Sequence, residues 1–152
     1  MQARMTHPVF AVPAAMKALA AYGQAAEGLG VPAETLEMLH LRASQINGCS
    51  VCVELHSRNL VKGGIAEERL YAIAAWRDAP YFTEAERAAL ELAEAVTRVA
   101  DRGDPVPDAV WERAARHYDE RGLSALLIAI TSINVWNRLN AATRQVAGAW
   151  TP

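Results

Sequence analysis

The 152-residue chain is poor in cysteine, close to neutral and without a long apolar run. A formal net charge of −2 gives no reason to expect nucleic acid or an anionic membrane as a partner. The longest uncharged stretch, Gly122 to Asn137, is too short to span a bilayer and contains Ser124, Thr131, Ser132 and Asn134. The opening residues, Met1 to Pro8, lack the apolar stretch of a signal peptide, so a cytoplasmic protein is expected. Cysteine is confined to Cys49 and Cys52. In a cytoplasmic setting, a pair this close points to catalysis or metal binding rather than to a structural staple.

No run shows sustained strand alternation, and there is no internal repeat, low-complexity tract or inter-domain linker. With 52% apolar and 21% charged residues, the composition is that of an ordinary globular protein. The expectation is one all-α domain over residues 1–152, long enough to bury a core. Apolar residues recur at helical spacing. Helices are expected over Pro13–Leu29, Pro32–Asn47, Cys49–Gly63, Glu67–Trp76, Thr83–Val99, Pro107–Tyr118 and Gly122–Val146. Gly48 separates the second from the third, and Thr83 with Glu86 forms a capping box before the fifth. The last helix is apolar nearly all round through Leu123–Ile130, which predicts burial in the core or against another subunit. Trp150 offers an aromatic contact near the C-terminus.

The segment Asn47-Gly48-Cys49-Ser50-Val51-Cys52-Val53-Glu54-Leu55-His56 carries the chemistry. A sulfur at position 49, at the start of a helix, lies near unpaired N–H groups and the positive end of the helix dipole. Both lower a thiol pKa from its free value of about 8.5. Positions 49, 52 and 56 share one helical face, so His56 is placed to take a proton from Cys52. If the flanking helices form an antiparallel pair about Gly48, Glu37 and His56 rise roughly 16 and 12 Å from the turn. Glu37 then orients the imidazole and raises its basicity. Arg42 and His40 are secondary candidates for related work.

Glu37, eleven residues, Cys49, two residues, Cys52, three residues and His56 resembles the motif of the alkylhydroperoxidase AhpD-like, or carboxymuconolactone decarboxylase, family. Leu41-Arg42-Ala43-Ser44-Gln45-Ile46-Asn47-Gly48-Cys49 resembles the family's lead-in. Ala74-Ala75-Trp76-Arg77, Phe82 with Glu86–Leu90, and Ile133–Leu139 resemble its downstream stretches. The core motif covers about positions 37–56. The resemblance implies an all-helical fold that assembles as a trimer or hexamer, with no cofactor and no metal. It also implies a peroxidase cycle. Cys52 attacks a hydroperoxide and becomes a sulfenic acid, Cys49 protonates the leaving alkoxide and then closes a disulfide, and a dithiol donor resets the pair. Glu37 and His56 relay protons. Position alone favours Cys49 as the thiolate, whereas the family assigns first attack to Cys52. Val51 stands where some members carry a histidine.

Other readings compete. A pair of small buried hydrophobes does not need the histidine and glutamate at motif spacing. A structural zinc site at Cys49, Cys52 and His56 lacks a fourth ligand from any second C-x2-C or H-x3-H. Thiol–disulfide exchange, or a slow redox sensor, would use the same pair. Decarboxylation of a small lactone acid, which the family name allows, needs a proton donor and an anion site rather than two thiols. His7 and His117 are read as ordinary histidines. Glu37 could instead pair with Arg42 or Arg58, and Asn134, Asn137 and Arg138 either line a pocket or satisfy helix ends.

Overall fold

The computed structural model describes residues 1–100 and 103–149, and every regular element among them is a helix. Eight α-helices follow one another: α1 (Pro8–Ala11), α2 (Pro13–Gln24), α3 (Ala33–Asn47), α4 (Ser50–Lys62), α5 (Glu67–Ala72), α6 (Glu84–Thr97), α7 (Asp108–Ala115) and α8 (Glu120–Thr143). A 3₁₀ turn over Ile73–Ala75 extends α5. Helix α3 is the centre, packing on α4, α6 and α8, while α2 lies on α8 and α7 on α6. No helix among the described residues is long and apolar enough to cross a membrane. Trp150 lies outside the described residues.

Most expected helices are present, with boundaries moved by local chemistry. The first long helix stops at Gln24 and gives way to turns in which Gly28 and Gly30 take positive φ. The last begins before Gly122, because the Asp119 side chain accepts the Gly122 N–H at 2.8 Å. It ends at Thr143, where Arg144 adopts the left-handed conformation. The short α1 was not expected from the sequence; His7 starts it by accepting the Val9 N–H through Nδ1 at 3.2 Å. The Thr83 capping box is complete: Glu86 N–H donates to Thr83 Oγ1 at 3.2 Å and Thr83 N–H donates to Glu86 Oε2 at 2.8 Å.

The joint that matters most is Gly48. There φ is 65°, Gly48 N–H donates to Gln45 O at 3.3 Å, and Cys49 N–H donates to Ser44 O at 3.0 Å. This is a Schellman closure, which needs a left-handed residue at its turn and therefore favours glycine. It leaves only two residues between α3 and α4 and lets α4 fold back onto α3.

Met38, Leu39, Leu41, Leu90, Leu92, Leu126 and Ile130 fill the main core. Each such side chain contributes about 1.5–3 kcal/mol by leaving water. Helix α8 meets α3 and α6 through Leu126, Ala129 and Ile130, and α2 covers a further side of it. Its apolar surround is thus largely used within one chain. A smaller cluster joins Ala43, Cys49, Val51, Cys52 and Ile133, with Trp136 packed against it.

Two polar clamps cross the bundle. The carboxylate of Glu94 accepts from Arg42 Nε at 2.8 Å, Trp76 Nε1 at 2.9 Å, Arg77 at 2.7 Å and Arg98 at 3.2 Å. Asn47 donates to Asn134 Oδ1 at 3.0 Å and Asn137 Oδ1 at 2.8 Å, which pins the end of α3 to α8. Burial works against ionisation of Glu94, but the bonds from Arg77, Trp76 and Arg42 outweigh it and hold the carboxyl at about 2. A carboxyl depressed by folding stabilises the protein above its unfolded pKa, and that contribution is lost as pH falls from about 4.5 towards about 2. Glu94→Ala leaves the half-buried Arg42 without a counter-charge and the buried Trp76 N–H without an acceptor, and should cost about 3 kcal/mol. The loss for Arg77→Ala, at the exposed end, should stay below about 1 kcal/mol. Urea unfolding at pH 7 and pH 3 checks both: Glu94→Ala should lose less stability than wild type between those values.

Candidate active site

Cys49 is the N-cap of α4. Its sulfur accepts the Cys52 N–H at 3.4 Å, so the expected placement at a helix start holds. Both cysteines are free thiols and both are buried. The Cys52 thiol donates to Cys49, the largest reason that the Cys49 thiol lies well below the ordinary range; burial opposes this. The Cys52 N–H and the side-chain amides of Asn140 and Asn137 add to it. The same bond, with burial, pushes the Cys52 thiol up. The surroundings thus favour negative charge on Cys49 over Cys52.

Asn140 is the site residue that sequence reasoning missed. From α8, its Nδ2 reaches Cys52 Sγ at 3.1 Å and Cys49 Sγ at 3.5 Å. Its separation of 91 residues from Cys49 places it beyond any local motif. His7, read from sequence as an ordinary histidine, interacts with the Asn140 side chain and stacks on Trp136 with ring centroids 5.6 Å apart. The N-terminal segment thus covers one side of the site. Asn134, Asn137 and Arg138 form the clamp between α3 and α8, where Arg138 donates to Asn134 Oδ1 at 2.7 Å, and of the three Asn137 also turns its amide to the cysteine pair.

The Gly48 turn brings Glu37 to His56, as the heights along the two helices suggest. Glu37 Oε1 lies 2.7 Å from His56 Nδ1 and accepts from Asn59 Nδ2 at 2.8 Å; Oε2 lies 3.4 Å from His40 Nδ1. The guanidinium of Arg42 goes to Glu94, and that of Arg58 to Glu54, so neither pairs with Glu37. Burial would raise the Glu37 pKa, but the bonds from His40 and His56 outweigh it and keep the carboxyl ionised. Burial lowers the His56 pKa and Glu37 only partly restores it, so the ring is neutral at pH 7. An ionised carboxylate at Nδ1 puts the ring proton there and leaves Nε2 as the base.

Cys52, His56 and His40 line one cavity of about 320 Å³, walled by Leu19, Ala20, Leu55, Ile133 and Trp136, with no Lys or Arg among the described residues that line it. His40, a secondary candidate in the sequence, thus belongs to the site: its ring lies 4.9 Å from that of His56. Among the described residues, Glu37, His40 and His56 are the one group whose ligand atoms lie close enough together for a metal, within 4.8 Å of one another. The cysteines are outside that group.

Residues 13–95 match the carboxymuconolactone decarboxylase family. The YdfG protein of Bacillus subtilis (strain 168) is 38% identical over 108 residues, covering 71% of this chain and 72% of YdfG. A solved structure from Agrobacterium tumefaciens, of a protein of unknown function proposed as an antioxidant defence protein AhpD, superposes with a TM-score of 0.88. It is 32% identical and covers 98% of this chain and 100% of its own. The debrominase Bmp8 shares the fold, with a TM-score of 0.80 at 22% identity over 90% of this chain and 73% of its own.

If the Asn140 amide stabilises the Cys49 thiolate, Asn140→Ala should move thiolate formation upward by about one pH unit, the worth of a hydrogen bond to a charged group. Thiolate absorbance at 240 nm followed against pH measures it; an unchanged midpoint contradicts the assignment.

Proposed function

The chain belongs to the carboxymuconolactone decarboxylase family, and we propose that it reduces hydroperoxides with its own thiol pair. The observation that carries this reading is that Cys52 lines an apolar cavity beside a neutral imidazole held by an ionised carboxylate.

In the proposed cycle, the Cys52 proton passes to His56 Nε2, Cys49 takes up a proton from solvent, and the Asn140 amide steadies the new Cys52 thiolate. The Cys52 sulfur attacks the terminal oxygen of the hydroperoxide. The O–O bond breaks, its electron pair leaves with the alkoxide, and the Cys49 thiol protonates that alkoxide to the alcohol. Cys52 is now a sulfenic acid. The Cys49 thiolate attacks its sulfur, the S–O bond breaks, and the departing hydroxide takes a proton from protonated His56 to become water. A dithiol donor then reduces the disulfide. The resting preference for charge on Cys49 suits the resolving step, where Cys49 is the nucleophile.

An apolar cavity without a fixed cation favours an uncharged organic hydroperoxide over hydrogen peroxide or a carboxylate substrate. The same feature speaks against a lactone acid, which would have no charged partner there. Assembly from several copies belongs to the same reading and follows from the family resemblance.

Cys52→Ser should abolish consumption of cumene hydroperoxide with a dithiol donor; a variant with wild-type turnover overturns the proposal. Under the same donor, cumene hydroperoxide should be reduced faster than a small-molecule disulfide, and the reverse order would make the protein a thiol–disulfide oxidoreductase. Glu37→Gln keeps the shape but removes the charge that fixes the imidazole proton. It should lower turnover about 100-fold, within the range of general acid–base catalysis.

A further inference from the structure

The two sulfurs open to different spaces. Cys52 lines the apolar cavity beside His56 and takes no part in the lining of a second recess. Cys49 lines that second recess, of about 400 Å³, and is absent from the first. Val51 and Asn140 line both and form the partition between them. The second recess is different in character: Ser50, Ala141, Gln145 and Arg144 border it, so it is more polar and carries a guanidinium.

Thiol–disulfide exchange requires in-line approach. The entering thiolate, the attacked sulfur and the leaving sulfur are collinear, so the attacked sulfur must be reached from the side facing away from its partner. Cys49 is the sulfur that borders the Arg144 recess, and Cys52 the one that borders the apolar cavity. We infer that the disulfide is reduced at Cys49 through the recess bordered by Ala141 and Arg144, by a small or arm-borne dithiol, while the oxidant enters only on the Cys52 side. This rests on the proposed peroxidase cycle for the origin of the disulfide.

A thiolate of the dithiol attacks Cys49 Sγ, the Cys49–Cys52 bond breaks, and its electron pair leaves on Cys52, which takes up a proton. The second thiolate of the donor attacks the donor sulfur of the mixed disulfide. The donor leaves as its own cyclic disulfide and Cys49 is expelled as a thiolate, the better leaving group because the Cys52 N–H and Asn140 already stabilise its charge. Arg144 at the border favours an entering reductant that is negatively charged or carried on an acidic surface. Two separate entrances also let reductant and oxidant act without displacing each other.

The half-reactions separate the two routes. Reduced protein is given one equivalent of cumene hydroperoxide; separately, protein oxidised with diamide is given dihydrolipoamide, and free thiols are counted against time. Ala141→Phe should slow the reduction at least tenfold and leave oxidation within twofold of wild type. Ala20→Trp, on the wall of the other cavity, should do the reverse. Mapping supplies a readout that needs no variant. Diamide-oxidised protein exposed briefly to glutathione and quenched with N-ethylmaleimide should carry glutathione on Cys49 and maleimide on Cys52. Glutathione on Cys52, or an Ala141→Phe variant reduced at the wild-type rate, overturns the inference. If cumene hydroperoxide fails to form the disulfide while the diamide product is still reduced at Cys49, the peroxidase reading falls and the recess assignment stands. Failure of diamide to link the pair overturns both.

Discussion

One hydrogen bond, 2.7 Å between Glu37 Oε1 and His56 Nδ1, joins the two helices that meet at Gly48 and sets the protonation of everything around it. Because Glu37 is ionised, the His56 proton stays on Nδ1 and the free electron pair stays on Nε2. Because His56 is buried and neutral, it is ready to accept rather than hold a proton at pH 7. The bond exists only if α4 folds back on α3 in the right register, and that register depends on a left-handed residue at the turn. A glycine with no side chain in the site therefore controls its chemistry.

The cysteines divide their labour by surroundings rather than by intrinsic reactivity. Cys49, at the helix N-terminus, holds negative charge readily; Cys52, one turn in, faces the apolar cavity. Under the proposed cycle this pairs the sulfur that reaches the substrate with the one that is the better resolving nucleophile and leaving group. Asn140 ties both to α8 and stands between the two spaces they open onto. Chemistry on α4 is thus referenced to α8, and that helix is itself fixed to the central α3 by the Asn47 clamp.

What the sequence disclosed was local. Helical periodicity, the Thr83–Glu86 box and the Gly48 break are written within a few residues of one another, and they specified the helices to within a turn at most ends. Glu37 and His56 were legible because they lie on adjacent helices joined by a two-residue turn, so counting along each helix gives their heights. Asn140 was not legible: its contact with the cysteines arises only after α8 packs on α3, and an asparagine has many uses in a helix. Glu94 gathers Arg42, Trp76, Arg77 and Arg98 from three stretches of chain, and no spacing rule connects them. His40 sits three residues from Glu37, but its share in the cavity depends on which face α3 turns to α4. The late end expected for the first long helix reflects glycines whose positive φ shows only in the folded chain.

The central claim is that an imidazole oriented by a carboxylate delivers Cys52, and not Cys49, to the oxidant. Mass spectrometry of the thiols after one equivalent of cumene hydroperoxide, with and without a sulfenic-acid trap, tests it most directly. The account predicts the trap adduct on Cys52, and a Cys49–Cys52 bond when the trap is omitted. An adduct on Cys49, or two thiols left unmodified, would contradict it.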